Sequence, residues 1–168
     1  MAEDKMILTP QGYQKLQEEY RHLIDVERPD VTEAIKEARA QGDLSENSEY
    51  DAARERQAKI ESRILEIEHI FDIAEVVDTS KAEKKHEGKI YLENFVTYKD
   101  LSEDEVHTIK LVSTVEADAL AEPYPLVSNE SPLGKAIMGQ VVGAQVAVES
   151  AEPYSIEILS ASKEEPKA

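Results

Sequence analysis

The sequence predicts an α+β protein with an N-terminal antiparallel coiled-coil hairpin and a small C-terminal α+β domain. Helix-breaking residues are distributed unevenly, since residues 10–78 contain two of the seven prolines and two of the six glycines. Apolar residues there recur at spacings of three and four, whereas beyond residue 79 they form short runs between turn residues. The predicted division is a hairpin over 1–78, a linker over 79–88, a globular domain over 89–160 and a flexible tail over 161–168.

The first helix is predicted to start at Thr9-Pro10. Thr9 suits the N-cap, and Pro10 suits the first helical position because its missing N–H would have no partner there anyway. An apolar stripe follows in two runs: Tyr13, Leu16, Tyr20 and Leu23, then Val31, Ile35 and Ala38. The gap between the runs shifts the phase of the stripe, so we expect a kink or local loosening near Arg28-Pro29.

A short turn is predicted to connect the first helix to the second. Gly42 suits the left-handed position that ends a helix, and Asp43 with Glu46 has the form of a capping box. The second helix then carries the seven-residue repeat of a coiled-coil seam, at Ala53, Gln57, Ile60, Ile64, Ile67, Phe71 and Ala74. Two helices with matching stripes and a short connection predict an antiparallel hairpin.

The predicted hairpin is long and buries little. At about 1.5 Å per residue, each helix would be on the order of 45 Å long. Two helices bury a single seam, so we expect the hairpin to project as an arm. The dense charge on its outer faces favours a monomer, and a four-helix bundle formed by dimerisation remains the alternative.

The second half predicts a small domain of short strands. The polar linker Thr79 to Gly88 comes first, and Pro132 to Met138 predicts a short helix between strands. The candidate strands are 89–99, 105–113, 124–128, 144–150 and 153–160. With roughly 80 residues, this domain has a core of marginal size.

Composition limits the classes of function. The formal net charge is −17, from 36 acidic and 19 basic residues. So acidic a surface repels nucleic acid, and any work on nucleic acid would require a partner or a local basic patch. The absence of cysteine excludes disulfides and thiolate metal sites. No signal peptide and no apolar run of about 18 residues is present, so we expect a cytoplasmic protein with no membrane partner.

Three separated motifs carry a family resemblance. The string GDLSENSEY at residues 42–50, followed by Asp51-Ala52-Ala53-Arg54-Glu55, closely resembles the hairpin tip of the GreA/GreB-type transcript-cleavage factors. The segment Leu8-Thr9-Pro10-Gln11-Gly12 is similar to the N-terminal signature of that family, and residues 128–136 resemble its second signature. Together the motifs extend over nearly the whole chain.

The resemblance implies an accessory factor of RNA polymerase rather than an enzyme acting alone. In the family, an FKBP-like C-terminal domain docks at the mouth of the polymerase's secondary channel, and the coiled-coil arm enters the channel. The tip acids, here Asp43 and Glu46, would then help to hold a second Mg²⁺ and position a water. The polymerase would cleave the 3′ end of backtracked nascent RNA and resume elongation.

The chemistry of the two acids fits this role independently. Mg²⁺ in proteins is usually bound by one or two carboxylates, with phosphate and water completing the octahedron. Asp43 and Glu46 on an open tip cannot enclose the ion, so we expect no tight binding alone. They can complete a metal site for which another protein supplies the other ligands. A second metal in such a site stabilises the attacking and leaving oxygens of an in-line displacement. The plain alternative is a purely structural capping box, and the two roles can coexist.

Two further sets of residues are implied by the resemblance. The family uses a basic patch on the arm to contact phosphates of the displaced RNA 3′ end, and four cations lie within a few turns of the tip: Arg54, Arg39, Lys36 and Arg56. Arg54 matches the family's spacing, and the alternative for all four is ordinary ion pairing on the helix surface. Ser131 and Pro132 would face the polymerase, or else form an ordinary turn before the short helix.

Two other functions stay open from the sequence. An inhibitory homologue would use the same arm to block the channel without cleavage, and a structural coiled-coil module would dimerise through its seam. The intact pair Asp43 and Glu46 favours the cleavage factor. The globular domain departs from the family's pattern after Gly88 and over 112–118, so the docking surface has fewer matching residues than the tip.

Overall fold

The computed structural model describes residues 5–42 and 48–167, apart from the side chain of Glu83. The chain separates into two units: one contains residues 13–75, and the other contains residues 7–12 together with 76–167. The α+β class predicted from the sequence, with a long helical region followed by a sheet domain, is confirmed. In the part of the chain described, no helix is both long and apolar enough to span a bilayer.

Helices dominate the first half of the chain. In chain order its elements are strand β1 (Met6–Leu8), helix α1 (Pro10–His22), a π-helical segment (Leu23–Glu27), helix α2 (Arg28–Ala40), helix α3 (Ser48–Ile73) and strand β2 (Ala74–Val76). Thr9 caps α1 as predicted, because its Oγ1 accepts a hydrogen bond from the Gly12 N–H at 3.0 Å. Gly42, just past the end of α2, has the predicted positive φ of 101°.

The helices α2 and α3 form the predicted antiparallel hairpin. Its core is a seam of buried apolar side chains from both helices: Val31, Ile35, Ala53, Ile60 and Ile64. Polar contacts show that the two sides of the hairpin run in opposite directions. Glu19 pairs with Arg63, whereas Glu27, which comes later in the chain than Glu19, pairs with Arg56, which comes earlier than Arg63. The seven-residue repeat read from the sequence therefore corresponds to a real interface.

The loosening expected near Pro29 takes the form of a π-helical turn. In a regular α-helix Pro29 would clash with the carbonyl four residues earlier, at Asp25. The wider turn over Leu23–Glu27 relieves this clash, and the Arg28 N–H donates to the Leu23 carbonyl, five residues back. The same turn absorbs the phase shift between the two apolar runs of the sequence.

The second unit is built on a five-stranded sheet. Its elements are α4 (Thr79–Lys85), β3 (Phe95–Asp100), β4 (Val106–Val112), a 3₁₀ turn (Thr114–Glu116), β5 (Leu126–Ser128), α5 (Pro132–Ile137), β6 (Gln145–Val148) and β7 (Tyr154–Ser162). The strand order is β5-β4-β3-β7-β6, with β4 and β5 parallel and the other neighbours antiparallel. The core lies against this sheet and includes Leu92, Val96, Leu111, Ile156 and Ile158.

Three details differ from the sequence prediction. The segment predicted as a linker, 79–88, contains helix α4, because Asp78 supplies an N-cap whose carboxylate accepts from the Ser80 N–H at 3.0 Å. The first strand of this unit, β3, starts at Phe95 rather than at residue 89. Ile90 is buried in the loop before β3, because its N–H donates to the Gln140 carbonyl. The last strand continues to Ser162, into the predicted tail.

Candidate functional site

The predicted tip acids, Asp43 and Glu46, lie outside the described residues. The structure gives the two ends of their connection, because α2 ends at Ala40 and α3 begins at Ser48. As a donor set, two carboxylates fit Mg²⁺, which prefers oxygen ligands and commonly uses one or two acids. Among residues 5–42 and 48–167, no group of three or more histidines and acids is arranged to hold a metal.

The structure brings the three predicted RNA-contacting residues together beside this connection. Lys36 and Arg39 come from α2 and Arg54 comes from α3, and all three line one groove of about 400 Å³. The other lining residues are neutral: Thr32, Ile35 and Gln57. Residues far apart in the sequence thus form one positively charged surface that spans both helices of the hairpin.

The cations of this groove have local or neutral partners. Lys36 Nζ lies 3.2 Å from Glu33 Oε1 on its own helix, and both side chains are exposed. Arg54 Nη1 donates to Gln57 Oε1 at 2.6 Å. The Arg39 guanidinium lies over the ring of Tyr50, 5.8 Å from its centroid, which is within the range of a cation–π interaction. These contacts orient the three side chains. Of the three contacts, the one made by Lys36 is with a negatively charged group.

The arginines farther from the connection are paired with acids of the facing segment. Arg28 binds Glu61 with two contacts of 2.8 and 2.6 Å, and Arg63 binds Glu19 with contacts of 2.6 and 3.0 Å. The remaining cation of the predicted patch, Arg56, belongs to this class, because its Nη2 lies 2.5 Å from Glu27 and 3.6 Å from Asp30. Its charge is thus compensated, and it does not line the groove.

Electrostatics reflect this pairing. Hydrogen bonds from Arg63 lower the pKa of Glu19 below its usual range, and burial opposes the shift. Arg56 lowers the pKa of Glu27 in the same way, and Arg28 lowers that of Glu61. These carboxylates are therefore ionised at neutral pH and tied to their arginines.

Ser131 and Pro132, the predicted docking residues, begin helix α5. Ser131 Oγ accepts from the Gly134 N–H at 3.0 Å and donates to the Ser128 carbonyl at 2.7 Å. Pro132 occupies the first helical turn and is exposed. A Cβ on Gly134 would lie 2.0 Å from the Ser128 carbonyl oxygen, so glycine is required for α5 to pack here. The Ser131 hydroxyl is thus used within the fold, and Pro132 faces outward.

The sequence interpretation missed one residue of the groove region, Tyr50. Its ring contacts Arg39 and packs against the buried seam of the hairpin. The available signal was its position, since Tyr50 is the aromatic residue that follows the predicted tip within GDLSENSEY. Tyr50 connects the charged groove to the apolar interface that holds the two helices together.

Comparison with known proteins identifies the family of this chain. A family profile described as transcription elongation factor, N-terminal, matches residues 6–76, and one described as transcription elongation factor, GreA/GreB, C-term, matches residues 84–163. Transcription elongation factor GreA of Mycoplasma mycoides is 42% identical over 93% of this chain and 97% of its own length. Its counterpart from Mesoplasma florum is 44% identical over 92% and 96%.

Among solved structures, the chain is similar to that of the transcription factor Gfh1. It is 26% identical and covers 96% of this chain and 99% of its own, with a TM-score of 0.46. Both halves of the sequence are matched by the family profiles, and the two GreA relatives align over nearly their full lengths. The chain belongs to the GreA/GreB family of transcription elongation factors.

Proposed function

We propose that this protein binds RNA polymerase and stimulates the polymerase's own Mg²⁺-dependent cleavage of backtracked nascent RNA. It would do so by presenting Asp43 and Glu46 at the polymerase's active site through the secondary channel. The observation that carries the proposal is membership of the GreA/GreB family over the whole hairpin, with the acid pair in the connection between its two helices. On this proposal the chain is a factor and the polymerase is the catalyst.

The hairpin is suited to hold the acid pair in a defined place. An apolar seam joins α2 and α3, and bidentate arginine–carboxylate pairs such as Arg28–Glu61 fix their register. When bound, Mg²⁺ would neutralise charge that develops on the oxygens of the reacting phosphate. The residues of this chain contribute the carboxylate ligands and their position, and the polymerase contributes the rest of the site.

The cationic groove beside the connection suits a polyanion. Lys36, Arg39 and Arg54 contribute three positive charges, and none of the groove's lining residues among 5–42 and 48–167 is acidic. Phosphate contacts of this kind position a nucleic acid without reading its sequence. We infer that the groove contacts the displaced 3′ end of the nascent RNA, which would hold the scissile phosphate near the tip acids.

The second unit is proposed to dock on the polymerase through the loop before α5. Pro132 is exposed there and the Ser131 cap fixes the start of the helix, so the loop presents a defined surface. Since the Ser131 hydroxyl already serves the fold, we expect Pro132 and its neighbours to make the direct contacts. Replacing Pro132 would then weaken polymerase binding more than it weakens the fold.

The direct experiment adds the protein to a stalled, backtracked elongation complex with Mg²⁺. We expect short 3′ RNA fragments with the natural protein and none above background with Asp43→Asn/Glu46→Gln, although that variant still folds and binds the polymerase. Asp51→Asn/Glu55→Gln is the matched control, because it removes two charges from the start of α3 and should cleave normally. Normal cleavage by the first variant would contradict the proposal.

The same experiment separates the alternative function. A protein that binds the polymerase and slows elongation, yet releases no fragments, would be a channel-blocking inhibitor rather than a cleavage factor. Binding to the polymerase without either effect would contradict both proposals. Sedimentation of the protein alone would test the expected monomer.

A further inference from the structure

The sheet-containing unit has a cavity that the proposed cleavage function does not use. Its volume is about 490 Å³, within the usual range for small-molecule sites. The loop after α4 forms one side, with His86 and Lys89, and Tyr91 lies next to them. Thr79 at the start of α4 and Ser162 at the end of β7 add hydroxyl groups to the lining.

One wall of the cavity is a stacked pair of rings. The His86 and Tyr91 rings lie nearly parallel, with an interplanar angle of 9° and a centroid separation of 4.5 Å. Both residues line the cavity and both are partly exposed. A flat, partly exposed pair of this kind is a surface on which a third planar group can stack, as bases do on aromatic side chains of proteins that bind single strands.

The described lining of the cavity carries two lysines, Lys89 and Lys163, and one acid, Glu87, whereas the chain as a whole has a formal net charge of −17. The segment 81–89 contains four lysines (Lys81, Lys84, Lys85 and Lys89) and two acids (Glu83 and Glu87), and of these lysines Lys89 is the one among the described lining residues. Lys81 pairs with Asp78 at 3.7 Å, whereas the other three form no ion pair within the part of the chain that the structure describes. Lys84 and Lys85 suit the C-terminal end of α4, but Lys89 lies beyond the helix.

The remaining charged groups of the lining leave the balance positive. Lys163 lines the cavity and donates from Nζ to the Thr79 carbonyl at 3.0 Å, so part of its hydrogen-bonding capacity serves the fold. Glu87 also lines the cavity and is the one acidic residue among the lining residues described. Lys89, which forms no ion pair with any described side chain, thus lies beside a ring platform and hydroxyl groups.

We propose that this cavity binds a nucleotide unit, with a phosphate at Lys89 and the base against the His86–Tyr91 pair. A phosphate explains the need for a cation, and a planar base explains the exposed stack. The unit is either a free nucleotide or one nucleotide of single-stranded RNA, which share this chemistry. The site is separate from the groove of the hairpin and would be a second nucleotide-binding surface of the protein.

The test is an NMR titration of the full-length, ¹⁵N-labelled protein with four probes: ATP, pyrophosphate, adenosine and an eight-residue single-stranded RNA. We expect ATP or the RNA to shift amide resonances of residues 86–91 and 161–163. Pyrophosphate and adenosine should each bind more weakly, because each lacks one of the two contacts. Tighter binding of the RNA assigns the site to single strands, and equal or tighter binding of ATP assigns it to a free nucleotide.

Variants decide whether the named residues carry the binding. Lys89→Gln and His86→Ala should each weaken binding at the cavity by at least about fivefold, while His86→Phe, which keeps a ring for stacking, should bind like the natural protein. Lys99→Gln is the matched control, because Lys99 belongs to the same unit but pairs with Asp104 away from the lining. Absence of shifts at the cavity, or equal weakening by Lys99→Gln, would overturn the proposal.

Discussion

The cations in the middle of the hairpin and those near its tip are chemically alike, but they have different partners. Arg28, Arg56 and Arg63 each bind a carboxylate of a facing segment. Arg39 and Arg54 instead contact a tyrosine ring and a glutamine amide, and both line an open groove. The same residue type therefore serves to fix the register of the hairpin in one region and remains available for a ligand in the other.

This difference indicates where the hairpin can bind an anion. A positive charge that already holds a carboxylate adds little to the surface potential, whereas uncompensated cations concentrate phosphate near them. Exposed ion pairs contribute little stability, typically about 0–1 kcal/mol each, so the paired arginines mainly orient the helices. The comparison thus predicts opposite consequences for mutations that remove the same chemical group.

Among the variants that compare the two regions, the largest expected effect is on cleavage when the groove loses its charge. Arg39→Ala/Arg54→Ala should lower the rate of stimulated RNA cleavage by about tenfold or more, because it removes the two proposed phosphate contacts, of roughly 1 kcal/mol each. The free energy of unfolding should change by less than about 1 kcal/mol. Arg56→Ala is the matched control and should leave cleavage near the natural rate, since Arg56 already binds Glu27. Equal loss of activity in both variants would contradict the claim that the groove arginines bind an anion whereas the carboxylate-paired arginines do not.

A smaller effect is expected at Tyr50, which joins the groove to the seam. Tyr50→Ala should lower cleavage several-fold, roughly in line with loss of a cation–π contact and of packing, while polymerase binding persists. Tyr50→Phe keeps the ring and should cleave like the natural protein. A defect in Tyr50→Phe as large as that of Tyr50→Ala would show that the hydroxyl, rather than the ring under Arg39, is what matters.

Much of this arrangement follows from local signals in the sequence. The seven-residue repeat predicts the seam, and the Thr9 cap, Gly42 and the phase shift at Pro29 predict where the helices begin, end and loosen. Each of these features depends on residues close together in the chain, which is why pattern alone finds them.

The parts that sequence did not predict depend on distant residues. The strand predicted from residue 89 begins at Phe95 because Ile90 is held by Gln140, a contact with no local signal. Whether an arginine binds a carboxylate depends equally on the facing segment. The sequence could therefore name Arg56 and Arg54 together, but it could not show that Arg56 binds Glu27 whereas Arg54 lines the groove. The roles of Asp43 and Glu46 stay predictions for the same reason, since they concern atoms of another protein.

The smallest expected effect is on the pH dependence of stability. Arginine pairing lowers the pKa of Glu19, Glu27 and Glu61, so these acids bind protons more weakly in the folded state than in the unfolded state. Their contribution is complete above the ordinary glutamate pKa of about 4.5 and is lost as the pH falls through the lower folded values. Denaturant unfolding should show a constant free energy from pH 7 to 6 and a decline below about pH 4.5.

One variant tests whether the arginine–glutamate pairs cause part of the loss of unfolding free energy in acid. Arg63→Gln removes the main cause of the shift at Glu19, so its unfolding free energy should fall less steeply with acid than that of the natural protein. Arg54→Gln, which removes a groove cation whose partner is the neutral Gln57, should keep the natural slope. Identical slopes for Arg63→Gln and the natural protein would contradict a stabilising role for this pair.

The most direct test of the central claim is the Mg²⁺ dependence of cleavage in a backtracked complex saturated with protein. If Asp43 is a ligand of the ion in the polymerase's active site, Asp43→Asn should raise the Mg²⁺ concentration for half-maximal cleavage by at least about tenfold. Sufficient Mg²⁺ should then restore part of the rate. An unchanged Mg²⁺ curve at the natural rate would contradict the account.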